Sequence, residues 1–249
     1  MAMNTDKNVY TVIFAGIMVV VVGSVLAFVA SGLSSRIKEN ERFEKQQNIL
    51  YAMGVNENVE DGGVSFIGTD VVEDEFSKYI KKQLVIKGDS VIDNNEAYLI
   101  DMKRQLALYK KGETPELPLF IGEKDNKIYY IIPMYGKGLW DAIWGFVALD
   151  DKMVVQGVFF DHKGETPGLG ANINQRYFMD DFTGESIMQD TRYSGISVAK
   201  GNNDPLNERK DDNKVDALAG ATITGNGVSA MILESVNLYK DYLTKLRKS

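Results

Sequence analysis

The 249 residues carry 28 Lys and Arg against 35 Asp and Glu, a formal net charge of −7, and 44% are apolar. That is enough apolar material for a packed core, while the absence of any basic stripe argues against a nucleic-acid backbone or an anionic bilayer surface as the main partner. With no cysteine and a single histidine, His162, disulfides, zinc fingers, thiolate-held clusters and thiol nucleophiles are excluded. A Ser/His/Asp site would have one candidate base and no G-x-S-x-G elbow. No catalytic residue and no metal ligand are assigned.

In chain order, a short tail (1–8) precedes residues 9–33, VYTVIFAGIMVVVVGSVLAFVASGL, with no charge between Lys7 and Arg36. At about 1.5 Å per residue such a run crosses a hydrocarbon core of about 30 Å and predicts a transmembrane helix. Lys7 and the amino terminus precede it, and Arg36, Lys38, Arg42 and Lys45 follow it. Taken literally, the positive-inside rule then puts the rest of the chain in the cytoplasm. Residues 34–55, with Ile37, Phe43, Ile49, Leu50 and Met53 ahead of Gly54, read as a helical stalk.

The remaining residues, 56–249, read as one soluble α+β domain, with 56–120 and 121–249 as candidate lobes. A helix is predicted over 70–86, where Val72, Phe76, Tyr79, Ile80 and Leu84 keep the helical period and Asp70 is placed to cap it. Four runs, ELPLFIG (116–122), KIYYIIPMYG (127–136), AIWGFVALD (142–150) and KMVVQGVFFDHKG (152–164), carry strand composition, the last two joined at Asp150-Asp151. They predict a mostly antiparallel sheet. NINQRYFMDDF (172–182) predicts a short helix and GISVAKGN (195–202) a further strand. A last helix has Val228, Met231, Ile232, Ser235, Tyr239, Tyr242, Leu243 and Leu246 on one face. The class is therefore an antiparallel sheet flanked by helices.

Three glycine-bearing loops each admit two readings. GATITGNG (220–227) has P-loop glycine spacing but lacks the lysine and the following Ser or Thr that would hold a triphosphate. It either offers backbone N–H groups to one phosphate at a helix N-terminus, or is a cap built on Thr224 or Asn226. YGKGLWDAIWG (135–145) is either a hairpin corner leading to core aromatics, or a place where Gly138 and Leu139 approach a flat ligand that Trp140 covers. DHKGETPGLGANI (161–173) carries Glu165 and Thr166 ahead of Pro167-Gly168, a type II turn signal, with Leu169 before Gly170, which opens the next helix. It suits a ligand rim or a plain turn. G-L-G without a third glycine in register is not a dinucleotide fingerprint, and His162 reads as a hydrogen-bonded strand residue.

Together these segments resemble, over nearly the whole chain, the C subunits of sodium-translocating NADH:quinone reductases, and more distantly the G subunits of the related Rnf complexes. The family's flavinylation motif, Asp, two residues, Ser or Thr, then Gly-Ala-Thr, is similar to the run from Asp216 through Gly220 and Ala221 to Thr222, with Ala219 where Ser or Thr is usual. Gly138, Leu139 and Trp140 match the G-L-W segment, Glu165 to Gly170, with Thr166, Gly168 and Leu169, the E-T-P-G-L-G segment, and Lys200 the lysine of S-V-A-K-G-N. The resemblance implies FMN held by a phosphoester to Thr222 and attached by a flavin transferase that uses FAD, since the loop offers no base to activate the hydroxyl. Lys200 is then a partner for the phosphate, and Trp140, Thr166 and Leu169 surround the ring. It further implies an electron carrier between NADH and ubiquinone in a sodium-exporting translocase of the bacterial inner membrane, held among other subunits by a single span. The soluble domain is implied to be extracytoplasmic, against the charge count. The alternatives are an Rnf-type subunit that exchanges electrons with ferredoxin and NAD, and an anchored binding or assembly module without flavin.

Overall fold

The computed structural model describes residues 8–60, 62–201, 204 and 207–247. The chain divides into two units, residues 1–42 and 43–249. The first unit holds most of helix α1 (Asn8–Ala52), whose most apolar window has a mean hydropathy of 2.9 and no buried residue. By length and composition this helix is able to cross a membrane. It covers the residues expected as span and the expected stalk only as far as Ala52, and its last turns belong to the second unit, where Gln46, Asn48, Ile49, Leu50, Tyr51 and Ala52 are buried.

The second unit is built on six antiparallel strands in the order β2-β1-β3-β4-β5-β6: β1 (Ile80–Lys87), β2 (Ser90–Asp93), β3 (Leu117–Lys124), β4 (Lys127–Lys137), β5 (Ala142–Leu149) and β6 (Val155–His162). The four expected strands are β3 to β6. Asp150 closes the β5–β6 connection, its carboxylate accepting from the N–H groups of Lys152 and Val154 at 2.9 Å. The helix expected over 70–86 is half right: α2 (Val72–Tyr79) stops where β1 begins. Ile80 and Leu84 keep a helical spacing but, with Val85 and Ile86, are buried in a strand paired with β3, so tertiary pairing overrides the local period. Asp70 does not cap α2, whose N-cap is Val71 with no side-chain bond. β2 and the helix α3 (Met102–Lys110), capped by Asp101, were not anticipated.

After β6 the expected short helix is three pieces, a 3-10 turn (Gly170–Asn174), α4 (Arg176–Met179) and a second 3-10 turn (Asp180–Phe182). Phe182 from these pieces packs edge-on against both Phe160 of β6 and Phe178, and Phe178 lies tilted against Phe160. A small hairpin, β7 (Met188–Gln189) with β8 (Arg192–Tyr193), follows. GISVAKGN does form a strand, but β9 (Ser197–Ala199) pairs in parallel with β10 (Lys214–Asp216), apart from the main sheet. The closing helix α5 (Thr222–Leu246) buries Val228, Met231, Ile232, Ser235, Tyr239 and Leu243 of the stripe read from the sequence, adds Val236, and leaves Tyr242 and Leu246 half-buried. Tyr239 also donates to the carbonyl of Pro118 at 2.7 Å. Gly136 and Gly227 let α5 lie against β4: a Cβ on Gly227 would meet the Lys137 carbonyl at 2.4 Å.

A buried polar cluster lies beside the second 3-10 turn. Glu185 is 0% exposed and accepts from the Asn207 amide at 3.1 Å. Its second oxygen and the Asn207 amide oxygen have no partner. A proton on the unpartnered Glu185 oxygen removes the charge that it would otherwise hold buried without a donor. Burial accordingly pushes this carboxyl up to about 7, and the hydrogen bond from Asn207 and the Lys210 ammonium only partly offset it. Asp181, also held up mainly by burial, reaches about 6. Between the unfolded-chain value of 4.5 and about 7 the folded state keeps a proton that the unfolded chain releases, so stability falls as pH rises through that window. Glu185→Gln, which carries an N–H donor at every pH, is expected to exceed the wild type by about 1 kcal/mol in thermal or denaturant unfolding near pH 8, with the gain vanishing towards pH 5. A difference independent of pH would contradict this.

Candidate functional site

The three glycine loops meet at one side chain. Glu165 follows β6 and is 4% exposed. One carboxylate oxygen accepts from the Trp140 N–H at 2.9 Å, and the other accepts from the Thr224 hydroxyl at 2.6 Å. The backbone N–H groups of Leu139 and Asp141 point to the same carboxylate. Burial is the largest single effect on its ionisation and favours the acid, but the Thr224 and backbone hydrogen bonds together outweigh it and hold Glu165 below the usual carboxylate value. It is a buried anion satisfied on every side.

Local sequence explains how three loops reach one carboxylate. The β4–β5 turn closes with the Gly138 N–H donating to the Asp141 carbonyl at 2.9 Å, which aims the intervening N–H groups inwards. Thr166-Pro167-Gly168-Leu169 is the expected type II turn: Gly168 has φ +76, and the Leu169 N–H donates to the Thr166 carbonyl at 3.1 Å. The Glu165 N–H donates to His162 Nδ1 at 3.2 Å, fixing the strand end, as expected of a structural histidine. Close approach requires two glycines. A Cβ on Gly138 would sit 2.5 Å from Glu165 Oε1, and one on Gly170 would sit 2.5 Å from Thr224 Oγ1 and 2.6 Å from Glu165 Oε2.

The two threonines of the α5 loop part company here. Thr222 is the first residue of α5 and is exposed; Thr224 is 1% exposed, inside the first turn and bonded to Glu165. The expectation that Thr224 or Asn226 caps the helix is overturned: the N-cap is Ala221, which makes no side-chain cap bond. The first-turn N–H groups are therefore left without a side-chain acceptor, and the first turn contains no acidic residue. Thr222, Lys200, Gly201, Asp216, Ala217, Leu218, Ala219 and Gly220 line an open depression of about 450 Å³. Lys200 follows β9 and Asp216 ends β10, so the parallel pair brings them to one wall. Gly220 takes φ +72, and a Cβ there would strike Leu169 Cδ2 at 2.7 Å. Leu169 therefore leans on the loop just ahead of Thr222.

On the rim, Trp140 is 66% exposed, so the reading of it as a core aromatic fails. Its indole N–H donates to the Thr166 hydroxyl at 3.2 Å, and Leu139 and Leu169 beside it are also exposed. The structure thus ties Trp140 to Thr166 and sets Leu169 against Gly220, whereas Trp140 itself lines a separate depression with Tyr135, Lys137 and Met231. It places Glu165 and Gly138 beneath the rim rather than on it, with Ala221 buried at the helix start. Thr224 as the partner of Glu165 was missed. Its signal was its position two residues after Thr222, which rotates it about 200° to the inner side of the helix.

The arrangement fits a flavin mononucleotide on independent grounds. An uncapped helix N-terminus without acidic residues, facing a depression with Lys200, suits a phosphate. An exposed Trp and two exposed leucines suit a flat apolar ring. Comparison with known proteins agrees. The FMN-binding domain model matches residues 138–237, which include Gly138 to Trp140, Glu165 to Gly170, Lys200 and Asp216 to Thr222. The C subunit of the Na(+)-translocating NADH-quinone reductase of Yersinia pestis is 29% identical over 236 residues, 90% of this chain and 87% of that protein. The crystal structure of the corresponding C subunit from Parabacteroides distasonis superposes with a TM-score of 0.71 at 29% identity, covering 85% of this chain and 97% of that one. The NqrC of Shewanella oneidensis gives a TM-score of 0.67 at 26% identity, covering 84% and 99%.

The two turn glycines should differ in what they tolerate. Gly170→Ala forces a methyl group into the Glu165–Thr224 bond and is expected to cost about 2 to 3 kcal/mol in denaturant unfolding. Gly168→Ala has open space around it and is strained only by its positive φ, at about 1 kcal/mol. The opposite order would contradict the buried clamp.

Proposed function

We propose that this chain, a homologue of the C subunits of Na(+)-translocating NADH-quinone reductases, is the membrane-anchored electron-transfer subunit of such a complex, with FMN esterified through its phosphate to Thr222. The observation that carries the attachment is the contrast between an exposed Thr222 at an uncapped helix start and a Thr224 hydroxyl already committed to Glu165. The FMN-binding domain over 138–237 supports the cofactor. The names of the relatives favour the quinone reductase over an Rnf-type complex or a flavin-free module.

In the attachment step the Thr222 oxygen displaces AMP from FAD: a phosphorus–oxygen bond to Thr222 forms, the bond between the two phosphates breaks, and the hydroxyl proton leaves. Asp216 lines the same depression as Thr222 but makes no hydrogen bond to its hydroxyl among the described residues, so a separate flavin transferase supplies the base. The open depression gives such an enzyme access. Afterwards the α5 N–H groups and Lys200 hold the ester phosphate, and Trp140, Thr166 and Leu169 hold one end of the ring. Asp216 would repel a phosphate, so its place is in recognition by the transferase. When bound, FMN supplies one-electron chemistry between an upstream centre and the next flavin of the complex; the chain contributes position and electrostatics. Residues 9–33 serve as the single span of the inner membrane, 34–55 as the stalk and 56–249 as the extracytoplasmic domain. Sodium transport and quinone reduction belong to the assembled complex with its other subunits.

Coexpression of the full chain with a flavin transferase is expected to give a fluorescent band in a denaturing gel and an intact mass raised by FMN less one water. Thr222→Ala is expected to abolish both, and Thr222→Ser to retain them. Protease added to intact spheroplasts is expected to cut the domain. A colourless wild type under these conditions, or flavin surviving in Thr222→Ala, would overturn the assignment.

A further inference from the structure

The Glu165 carboxylate does more than fill the space under the rim. Its two oxygens reach two loops that are far apart in sequence, one at Trp140 and one at Thr224. Trp140 is exposed on the rim, and Thr224 lies in the same helical turn as the exposed Thr222. A path of two hydrogen bonds with a carboxylate as the middle piece therefore joins the Trp140 backbone to the first turn of α5, beside the direct packing of Gly227 on Lys137 and Gly138. None of the atoms in that path belongs to a flavin. The packing leaves it no slack, because Gly138 and Gly170 bring backbone to within methyl distance of the same oxygens.

We propose that Glu165 and Thr224 form a positioning pair that presets the geometry between Trp140 and Thr222 in the flavin-free chain and makes Thr222 the modified threonine. Thr224 acts by donating its hydroxyl inwards. That removes it as a competing acceptor, and it removes the side-chain cap that would otherwise occupy the first-turn N–H groups. Glu165 acts by accepting from both sides; the amide of a glutamine keeps one accepting oxygen, and its nitrogen reverses the second bond by donating to the Thr224 hydroxyl, which frees that hydroxyl's proton for another acceptor. The inference rests on the proposed attachment at Thr222, but its geometric half is testable without flavin.

The test uses the full chain in detergent with ¹⁵N-labelled tryptophan. Trp140 and Trp144 are the two tryptophans of the sequence, so two indole and two backbone signals report the site and the sheet separately. In the flavin-free chain, Thr224→Val is expected to move both Trp140 signals and leave those of Trp144 in place. Exposed to transferase and FAD, it is expected to take up flavin at least tenfold more slowly than wild type, and Thr224→Ser to restore both readouts. Glu165→Gln is expected to reproduce the Thr224→Val pattern, and it serves as the test if the valine variant loses the Trp144 signals through misfolding. Wild-type Trp140 signals and a wild-type labelling rate in Thr224→Val, or in Glu165→Gln where that is the folded variant, would overturn the proposal. Flavin persisting on Thr222→Ala would instead overturn the attachment site, while the flavin-free Trp140 shifts would still report on the positioning pair.

Discussion

A carboxylate buried to 4% exposure is costly unless donors surround it, and the arrangement of the site follows from how Glu165 finds them. Stripping a carboxylate of water costs several kcal/mol, and each hydrogen bond to a charged group contributes about 1.5 to 3 kcal/mol. One or two bonds would leave a deficit; a hydroxyl and three backbone N–H groups do not. The β4–β5 turn and the start of α5 must therefore both come to the end of β6. The glycines at 138 and 170 are the consequence, because any side chain there would occupy the space of the carboxylate itself. The loops are glycine-rich because they converge on an anion that belongs to the protein.

The same demand explains the bare start of α5. A threonine in a loop ahead of a helix is ordinarily a cap. Here Thr224 lies inside the first turn and its hydroxyl is committed to Glu165, so Ala221 takes the N-cap position without a side-chain bond. The helix forgoes about 1 kcal/mol of capping. It presents instead free N–H groups and a positive dipole end to the depression that holds Lys200 and the Thr222 hydroxyl. A single hydrogen bond thus separates an inner threonine that is structural from an outer one that is available.

The strands β3 to β6 and the stripe of α5 were legible because half-buried strands and a one-faced helix write their period into the sequence. β1 was not, since Ile80, Leu84 and their neighbours satisfy a helical period as well as a strand, and only the pairing of Leu84 with Leu119 decides between them. The type II turn at Pro167-Gly168 was legible because proline and positive φ leave few alternatives. Trp140 was ambiguous because hydrophobicity does not distinguish a core aromatic from one held at the surface by the hydrogen bond to Thr166. The inward side of Thr224 was legible from its place two residues after Thr222, but its partner was not: Glu165 is 59 positions away, and nothing near Thr224 in the sequence names a buried glutamate. The gathering of the loops came into view through family resemblance, whereas the reason for their gathering is visible only in three dimensions.

Two buried glutamates in one domain show that burial alone does not set the charge. Glu185 is the more buried, yet it has an amide and a backbone N–H for partners, with Asp212 adding like charge, and its carboxyl is pushed up to about 7. Glu165 has four donors, and its carboxyl is held below the ordinary range. The donors decide the sign. Across neutral pH, therefore, the clamp under Trp140 stays ionised and its geometry constant, while the cluster at Asn207 exchanges a proton. That cluster touches the segment leading into β10, which carries Asp216, through the Asn213 N–H. The floor set by Glu165 keeps its charge across the same range, because its donors hold it below the carboxylate value.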